Sequence, residues 1–186
     1  MPKTSKIVVL DLENILVEII YPAIEMPTYH QVMSGNRILD GEALLCKRNH
    51  FKLFFDYLFK NFKVGVWSSS KDQSLINEII DSLKIRDKIE FVYSIKDCIP
   101  QYFEVCGFGY GQHNMKDFNK IKGYTKENIL FLEGKKVKCI HNGHVLYVNN
   151  YYGCDDDDLL KVMDMLDMFK LKGIKSDYMG DVSYSL

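Results

Sequence analysis

The sequence predicts an α/β fold, a central, mostly parallel sheet with helices on both faces, and three features of the 186-residue chain point to it. Short apolar runs recur without polar alternation, at Ile7–Leu10, Phe62–Trp67 and Ile129–Leu132. Strands of that kind are buried on both faces, as parallel strands between helical layers are. Between them lie stretches with apolar residues every three or four positions, the spacing of one helix face. The runs also end in residues of chemical use: Asp11 and Glu13 after the first, Ser68 after the second, Glu133 after the third. Ligands of open α/β sheets bind beyond the carboxyl ends of the strands, so these residues fall at the functional edge.

Taken in order, Ile7-Val8-Val9-Leu10 runs straight into Asp11-Leu12-Glu13, and residues 15–20 stay apolar around Glu18 until Pro22 and Pro27 break regular structure. Residues 21–41 read as an irregular loop with a hairpin around Ser34-Gly35-Asn36, where glycine and asparagine tolerate positive φ. Phe51, Phe54, Phe55, Leu58 and Phe59 then mark a helix that buries one face while Lys52, Asp56 and Lys60 stay wet. The strand ending at Trp67 leads through Ser68-Ser69-Ser70-Lys71-Asp72 into a helix over Gln73–Leu83. A serine there has two readings, which different serines of the run can fill at once: it caps the helix, or with the helix amides it holds a phosphate.

Ile89–Tyr93 reads as a third short strand and residues 95–114 as irregular, with Gly107, Gly109 and Gly111 marking a hairpin turn and lacking the spacing of a nucleotide loop. Phe118–Lys122 is a short helical segment stopped by Gly123, and Val137–Ile140 and Val145–Val148 are further strands. A last helix spans Asp155–Phe169, with Leu159, Leu160, Met163, Leu166 and Phe169 inward. Asp155–Asp158 suit its first turn as a solvated cap, because negative charge favours the amino end of the helix dipole.

Composition bounds the function. At 47% hydrophobic and 26% charged residues the chain has the make-up of an ordinary globular domain, expected over residues 1–172 with a polar tail at 173–186. A formal net charge of -1 argues against direct nucleic-acid binding. Five cysteines without a C-x-x-C pair argue for a reducing, intracellular setting, and no signal-peptide or membrane-spanning pattern is present. Cys139, His141 and His144 form C-x-H-x-x-H, which fits no standard zinc spacing and reads better as a turn centred on Asn142-Gly143.

The strand ends carry the chemistry. Asp11 by itself could simply close a turn. Carboxylates converging at one sheet edge repel unless a cation sits among them, and all-oxygen donors favour Mg²⁺. A hydroxyl at Ser68 and a cation at Lys116 would bind a phosphate. That set serves aspartyl-phosphate chemistry, in which a carboxylate attacks phosphorus and a second acid protonates the leaving oxygen.

The succession Val8-Val9-Leu10-Asp11-Leu12-Glu13, Arg48-Asn49-His50-Phe51, Val66-Trp67-Ser68-Ser69-Ser70, Lys116-Asp117-Phe118, Phe131-Leu132-Glu133 and Asn150-Tyr151-Tyr152-Gly153 resembles the FCP/SCP, or NLI-interacting-factor-like, branch of the haloacid dehalogenase superfamily. The similarity runs from about Lys6 to about Phe169, with the motifs in the family's order. It implies a three-layer Rossmannoid fold with a small β insertion near the active-site edge. It also implies Asp11 as nucleophile, Glu13 as general acid, Ser68 as phosphate holder and Lys116 as the balancing cation. Ser69, Ser70 and Arg48 fall in its substrate-binding motifs, and Asp11, Glu13 and Glu133 in its Mg²⁺ site. Phosphoserine or phosphothreonine proteins such as the RNA polymerase tail, and with them the transcription machinery, are the partners it implies.

Two family aspartates are glutamates here, Ile15 stands where a threonine or valine is usual, and Gly134 replaces a polar or acidic residue. Moving a reacting group by about 1 Å can cost ~10²-fold in rate. Two readings follow: a phosphatase of weak or altered activity, or a pseudophosphatase kept as a binding module. The stretch Tyr102–Tyr110 and the loop at 21–41 are expected to wall the cleft, since they interrupt the strand–helix alternation near the functional edge.

Overall fold

A computed structural model describes residues 5–28, 31–32, 35–105, 109–134, 140–141 and 144–172. In chain order the elements are β1 (Ile7–Leu10), β2 (Val17–Ile20), β3 (Asn36–Ile38), β4 (Ala43–Lys47), α1 (Phe51–Asn61), β5 (Lys63–Trp67), α2 (Gln73–Leu83), β6 (Val92–Tyr93), β7 (Ile99–Val105), β8 (Gly109–Asp117), β9 (Ile129–Gly134), β10 (Ile140–His141), β11 (His144–Val148) and α3 (Asp158–Lys172). The central sheet runs β11-β9-β1-β5-β6, with every pairing parallel.

The absence of polar alternation in β1 has its reason in burial on both sides. Val8, Leu10, Val64, Val66, Leu130, Leu132, Leu146 and Val148 face one way and pack with the apolar stripes of α1, α2 and α3, including Phe54, Leu58, Ile76, Ile80, Leu159, Val162 and Leu166. Ile7, Val9, Trp67, Ile129, Phe131 and Val145 face the other way, where Phe91, Tyr93, Cys98, Phe118, Ile121 and Tyr124 cover them. The second covering layer is thus built from 3₁₀ turns at Ile95–Asp97 and Phe118–Lys120 and their flanks, not from long helices. Gly65 is required in β5 because a Cβ there would lie 2.3 Å from the Phe91 ring.

Two small sheets sit beside the central one: β2-β4-β3, antiparallel, and β10-β8-β7, built on the β7/β8 hairpin. They correct the expectation that residues 21–41 and 95–114 are irregular, since β3 falls in the first segment and most of the hairpin in the second. Short-range patterns miss these strands because their partners, not their own sequences, complete them. The β4 strand, Ala43–Lys47, was not foreseen either. The strands on either side of residues 142–143 pair elsewhere, β10 with β8 and β11 with β9.

The last helix begins at Asp158 rather than Asp155. The first helical stripe is borne out as α1, where the tilted rings of Phe51, Phe55 and Phe59 pack at centroid distances of 4.6 and 5.3 Å. The cysteines Cys46, Cys98 and Cys154 are free. Ser34, Gly107, Cys139, most of the expected strand at 137–140, Asn142-Gly143 and the tail 173–186 lie outside the described residues. Among the described residues no helix is long and apolar enough to cross a membrane.

Candidate active site

Asp11 stands one residue beyond β1, and its amide still donates to the Leu132 carbonyl at 3.1 Å, so the sheet fixes its backbone. The chain then turns tightly. Leu16 and Val17 amides donate to the Leu12 carbonyl at 3.0 and 3.2 Å, and Asn14 adopts a left-handed φ of 62°. Asparagine tolerates that conformation because its short polar side chain compensates locally. The turn presents Asp11, Glu13 and Asn14 to a cavity of about 370 Å³, which Ser68, Ser69, Ser70, Gly134 and Asn150 complete. The ends of β1, β5 and β9 therefore do converge.

Ser68, 2% exposed, is held by its amide donating to the Tyr93 carbonyl at 3.0 Å. Its Oγ accepts from the Ser70 amide at 3.1 Å, and Ser70 Oγ accepts from the Asp72 amide at 3.3 Å. Capping of α2 falls to Asp72, whose Oδ1 accepts from the Ser74 and Leu75 amides at 2.9 and 3.1 Å. The helix-cap role expected of the serines thus belongs to the acid, and Ser68, Ser69 and Ser70 are left at the pocket.

Beneath the pocket lies a buried charge cluster. Lys116 comes from the end of β8, is 0% exposed and donates to Asp11 Oδ2 at 3.3 Å and to Glu133 Oε1. Burial works against the Lys116 ammonium, but the two carboxylates outweigh it and its pKa rises. Burial pushes the Glu133 carboxyl up, and Lys116 opposes that rise without reversing it. Glu133 is itself 0% exposed and lies under the cavity rather than on its wall.

Burial also raises the Glu13 carboxyl; the neighbouring Asp11 and Asp72 add to the rise, and a hydrogen bond with Ser70 partly opposes it. An acid raised in this way keeps its proton nearer neutral pH, which suits a proton donor.

Arg48 is not at the pocket. Its side chain is fully buried, with Nε donating to both Asp156 oxygens and Nη2 to Asp158 Oδ2, each at 2.9 Å. Its Nη1 donates to the Ile15 and Asn149 carbonyls, both at 2.9 Å, and its amide to the Leu16 carbonyl at 3.0 Å. The expected substrate-binding role gives way to a positioning one: Arg48 ties the Asp11–Leu16 turn to the segment carrying Asn150. The expectation of a solvated acidic run holds for Asp155 and Asp157, which are exposed, but not for Asp156 and Asp158, which are the Arg48 counter-charges. An arginine fork suits this work because five fixed donors reach several acceptors at once.

Asn14 and Asn150 line the cavity although the sequence reading assigned them no role. The signal was Gly134: a Cβ there would lie 2.8 Å from Asn150 Oδ1, so the missing side chain makes room for an amide from the following segment. Among the described residues neither Tyr102 nor the 21–41 loop lines the cavity, though the charge on Glu13 adds to burial in raising the Tyr21 pKa.

The donor chemistry fits Mg²⁺. Glu13 Oε1 and Glu133 Oε2 are buried oxygens without a hydrogen-bond partner, and Asp11 and Asn150 line the cavity with Glu13. No three His, Cys, Asp or Glu side chains among the described residues cluster closely enough to hold an ion unaided. Magnesium needs no such cage, since it keeps several waters and is usually bound through one or two carboxylates and substrate phosphate.

The fold matches solved structures closely enough to define its class. Fcp1, the RNA polymerase II CTD phosphatase of fission yeast in a form bound to beryllium fluoride, aligns with a TM-score of 0.56 at 8% identity over 90% of this chain and 51% of that one. A second structure of Fcp1 gives 0.55 at 10% identity, with 90% and 50% covered. This chain thus spans about half the length of those proteins. An uncharacterized protein from Listeria monocytogenes serotype 4b gives 0.53 at 15% identity, with 89% and 98% covered. The class they share with this chain is an α/β fold around a parallel sheet, and the candidate residues lie at the carboxyl edge of that sheet. Within that class, the model of the NLI interacting factor-like phosphatase family matches residues 6–178, and the chain belongs to that family. A CTD phosphatase-like protein of Invertebrate iridescent virus 3 is 29% identical over 184 residues, covering 89% of this chain and 97% of the relative.

Proposed function

We propose that this chain is a Mg²⁺-dependent phosphomonoesterase for phosphoserine or phosphothreonine in a protein substrate, working through an aspartyl-phosphate on Asp11 with weak or altered activity. One observation carries the reading: Asp11, Glu13 and Ser68 share a single cavity, with Lys116 paired to Asp11 from below. Asp11 attacks phosphorus, the P–O bond to the seryl or threonyl oxygen breaks, and Glu13 gives its proton to that oxygen. Water then attacks the aspartyl-phosphate, Glu13 takes up a proton, and inorganic phosphate leaves. Ser68 and the backbone amides near Ser69 and Ser70 orient the phosphate oxygens, and Lys116 offsets charge on Asp11. Mg²⁺ would be held by Asp11 and the backbone carbonyl of Glu13, with Glu133 as the acid behind them, and would supply positive charge against the transferring phosphoryl oxygens.

The domain extends over residues 1–172 in this reading. The protein acts inside the cell, with a phosphorylated protein or peptide such as the polymerase tail as substrate and the transcription machinery as setting. The relatives' names support the substrate class. Hydrolysis of p-nitrophenyl phosphate and of a phosphoserine peptide, with Mg²⁺ and with chelator, tests it. Turnover is expected to need both Asp11 and metal, and turnover that survives Asp11→Asn overturns it.

A second reading has its own support. Glu133 is fully buried and tied to Lys116 instead of offered to a cation, as in a pseudophosphatase that keeps the fold as a binding module. A folded protein without turnover under any of these conditions selects it.

A further inference from the structure

On the outer face of α1, away from the residues assigned to catalysis, lies a second cavity of about 460 Å³ between that helix and the turn after α2. Phe51, Phe55, Phe59, Leu83 and Ile85 form its apolar floor, and Lys47, Lys52, Lys84, Lys88 and Asp56 stand around it. Four lysines against one aspartate make a positive rim on a chain whose formal net charge is -1. Lys52 is paired with Asp56 at 2.8 Å, with both side chains exposed. Lys47, Lys84 and Lys88 are exposed as well. Lys84 takes the left-handed conformation that ends α2, φ 56°, where glycine or asparagine is usual.

We propose that this groove docks an acidic protein segment, an Asp/Glu-rich stretch built around one or two large apolar side chains. The apolar side chain packs beside Phe51 and Phe59, the two half-buried rings of the floor, and flanking carboxylates meet the lysine rim. Charge complementarity calls for an anionic occupant, and the covered ring faces favour an acidic segment over a nucleic acid. Single strands bind by stacking bases on open aromatic faces, whereas here the Lys47 ammonium sits 5.9 Å over the Phe51 ring and that of Lys88 5.3 Å over Phe59. Phe55, 4% exposed, packs between the two rings and offers no open face either. A carboxylate approaching these lysines pairs with cations already held by the rings.

The probe is a fluorescein-labelled peptide, Glu-Asp-Glu-Leu-Phe-Glu-Asp-Glu, titrated with the full chain and followed by anisotropy. Saturable binding is expected that weakens ~10-fold or more, about 1.4 kcal/mol, in Lys47→Glu/Lys88→Glu. The arginine pair Lys47→Arg/Lys88→Arg is expected to retain it, and serine in place of Leu-Phe in the peptide to abolish it. Asp11→Asn is expected to bind as wild type does, which separates this site from the catalytic proposal. Lys84→Gln/Lys88→Gln gives the same reading if the charge reversals fail to fold. No binding by wild type, binding indifferent to the lysines, or lysine-dependent binding of labelled oligothymidylate in place of the peptide overturns the proposal.

Discussion

Glu13 is the residue at which the departure from the family pattern is chemically legible. Its extra methylene carries the carboxyl into a buried spot between Ser70 and the Asp11 charge, and burial first, then Asp11, raise its pKa. The proton needed by a leaving oxygen is therefore retained to higher pH, and activity is expected to fall as pH rises through that elevated value. Glu13→Gln is expected to remove this alkaline limb. It should also slow a phosphoserine peptide by ~10²-fold or more, the usual worth of a positioned acid. The loss with p-nitrophenyl phosphate should be much smaller, because a nitrophenolate leaves without a proton. Equal losses on both substrates would deny Glu13 the role of acid.

At the scale of the element, α2 shows how a local motif serves the site. Its Asp72 cap accepts two amides, and the same carboxylate adds to the rise in the Glu13 pKa. Asp72→Ala is expected to cost about 1 kcal/mol, seen as a fall in Tm of ~2–4 °C for a chain of this size. The same variant should move the alkaline limb of the activity profile to lower pH, because one charge raising the Glu13 pKa is gone. A fall in Tm with an unmoved limb would separate the cap from the site. The β7/β8 hairpin makes the parallel point: nine residues of β8 deliver Lys116, at the penultimate position, to the buried charge cluster.

Over the whole molecule, Arg48 connects the nucleophile turn, the segment carrying Asn150 and the start of α3 through one buried guanidinium. Burial alone would raise the Asp158 carboxyl, but hydrogen bonds from Lys161 and Asn149 and the Arg48 charge outweigh it, leaving its pKa below the ordinary 3.8. A carboxyl lowered on folding contributes stability that is full above its unfolded pKa and is lost as pH falls through the folded one. Arg48→Met takes the buried guanidinium from Asp158, which keeps Lys161 and Asn149, and from half-buried Asp156, and is expected to cost ~3–5 kcal/mol at neutral pH. It should also flatten the loss of stability below about pH 4, followed by the fluorescence of Trp67, the single, fully buried tryptophan. An unchanged acid slope would remove Arg48 from the cause of the Asp158 shift.

The unalternating run Ile7–Leu10 and the helical stripes of α1 and α2 specify a parallel sheet with helices, because period and burial are written in neighbouring residues. The acids, the serine and the lysine of the site were legible for a related reason: strand ends in such folds have a fixed relation to the functional edge. What the sequence could not determine depends on partners distant along the chain. Arg48 looked free to meet substrate until Asp156 and Asp158, more than a hundred residues away, were seen to claim it. Gly134 read as a lost side chain until Asn150 was found in its space. Glu133 read as a metal-directed acid, and only the tertiary structure set it under the cavity against Lys116, because burial and charge pairing belong to the packed molecule and not to any local stretch of sequence.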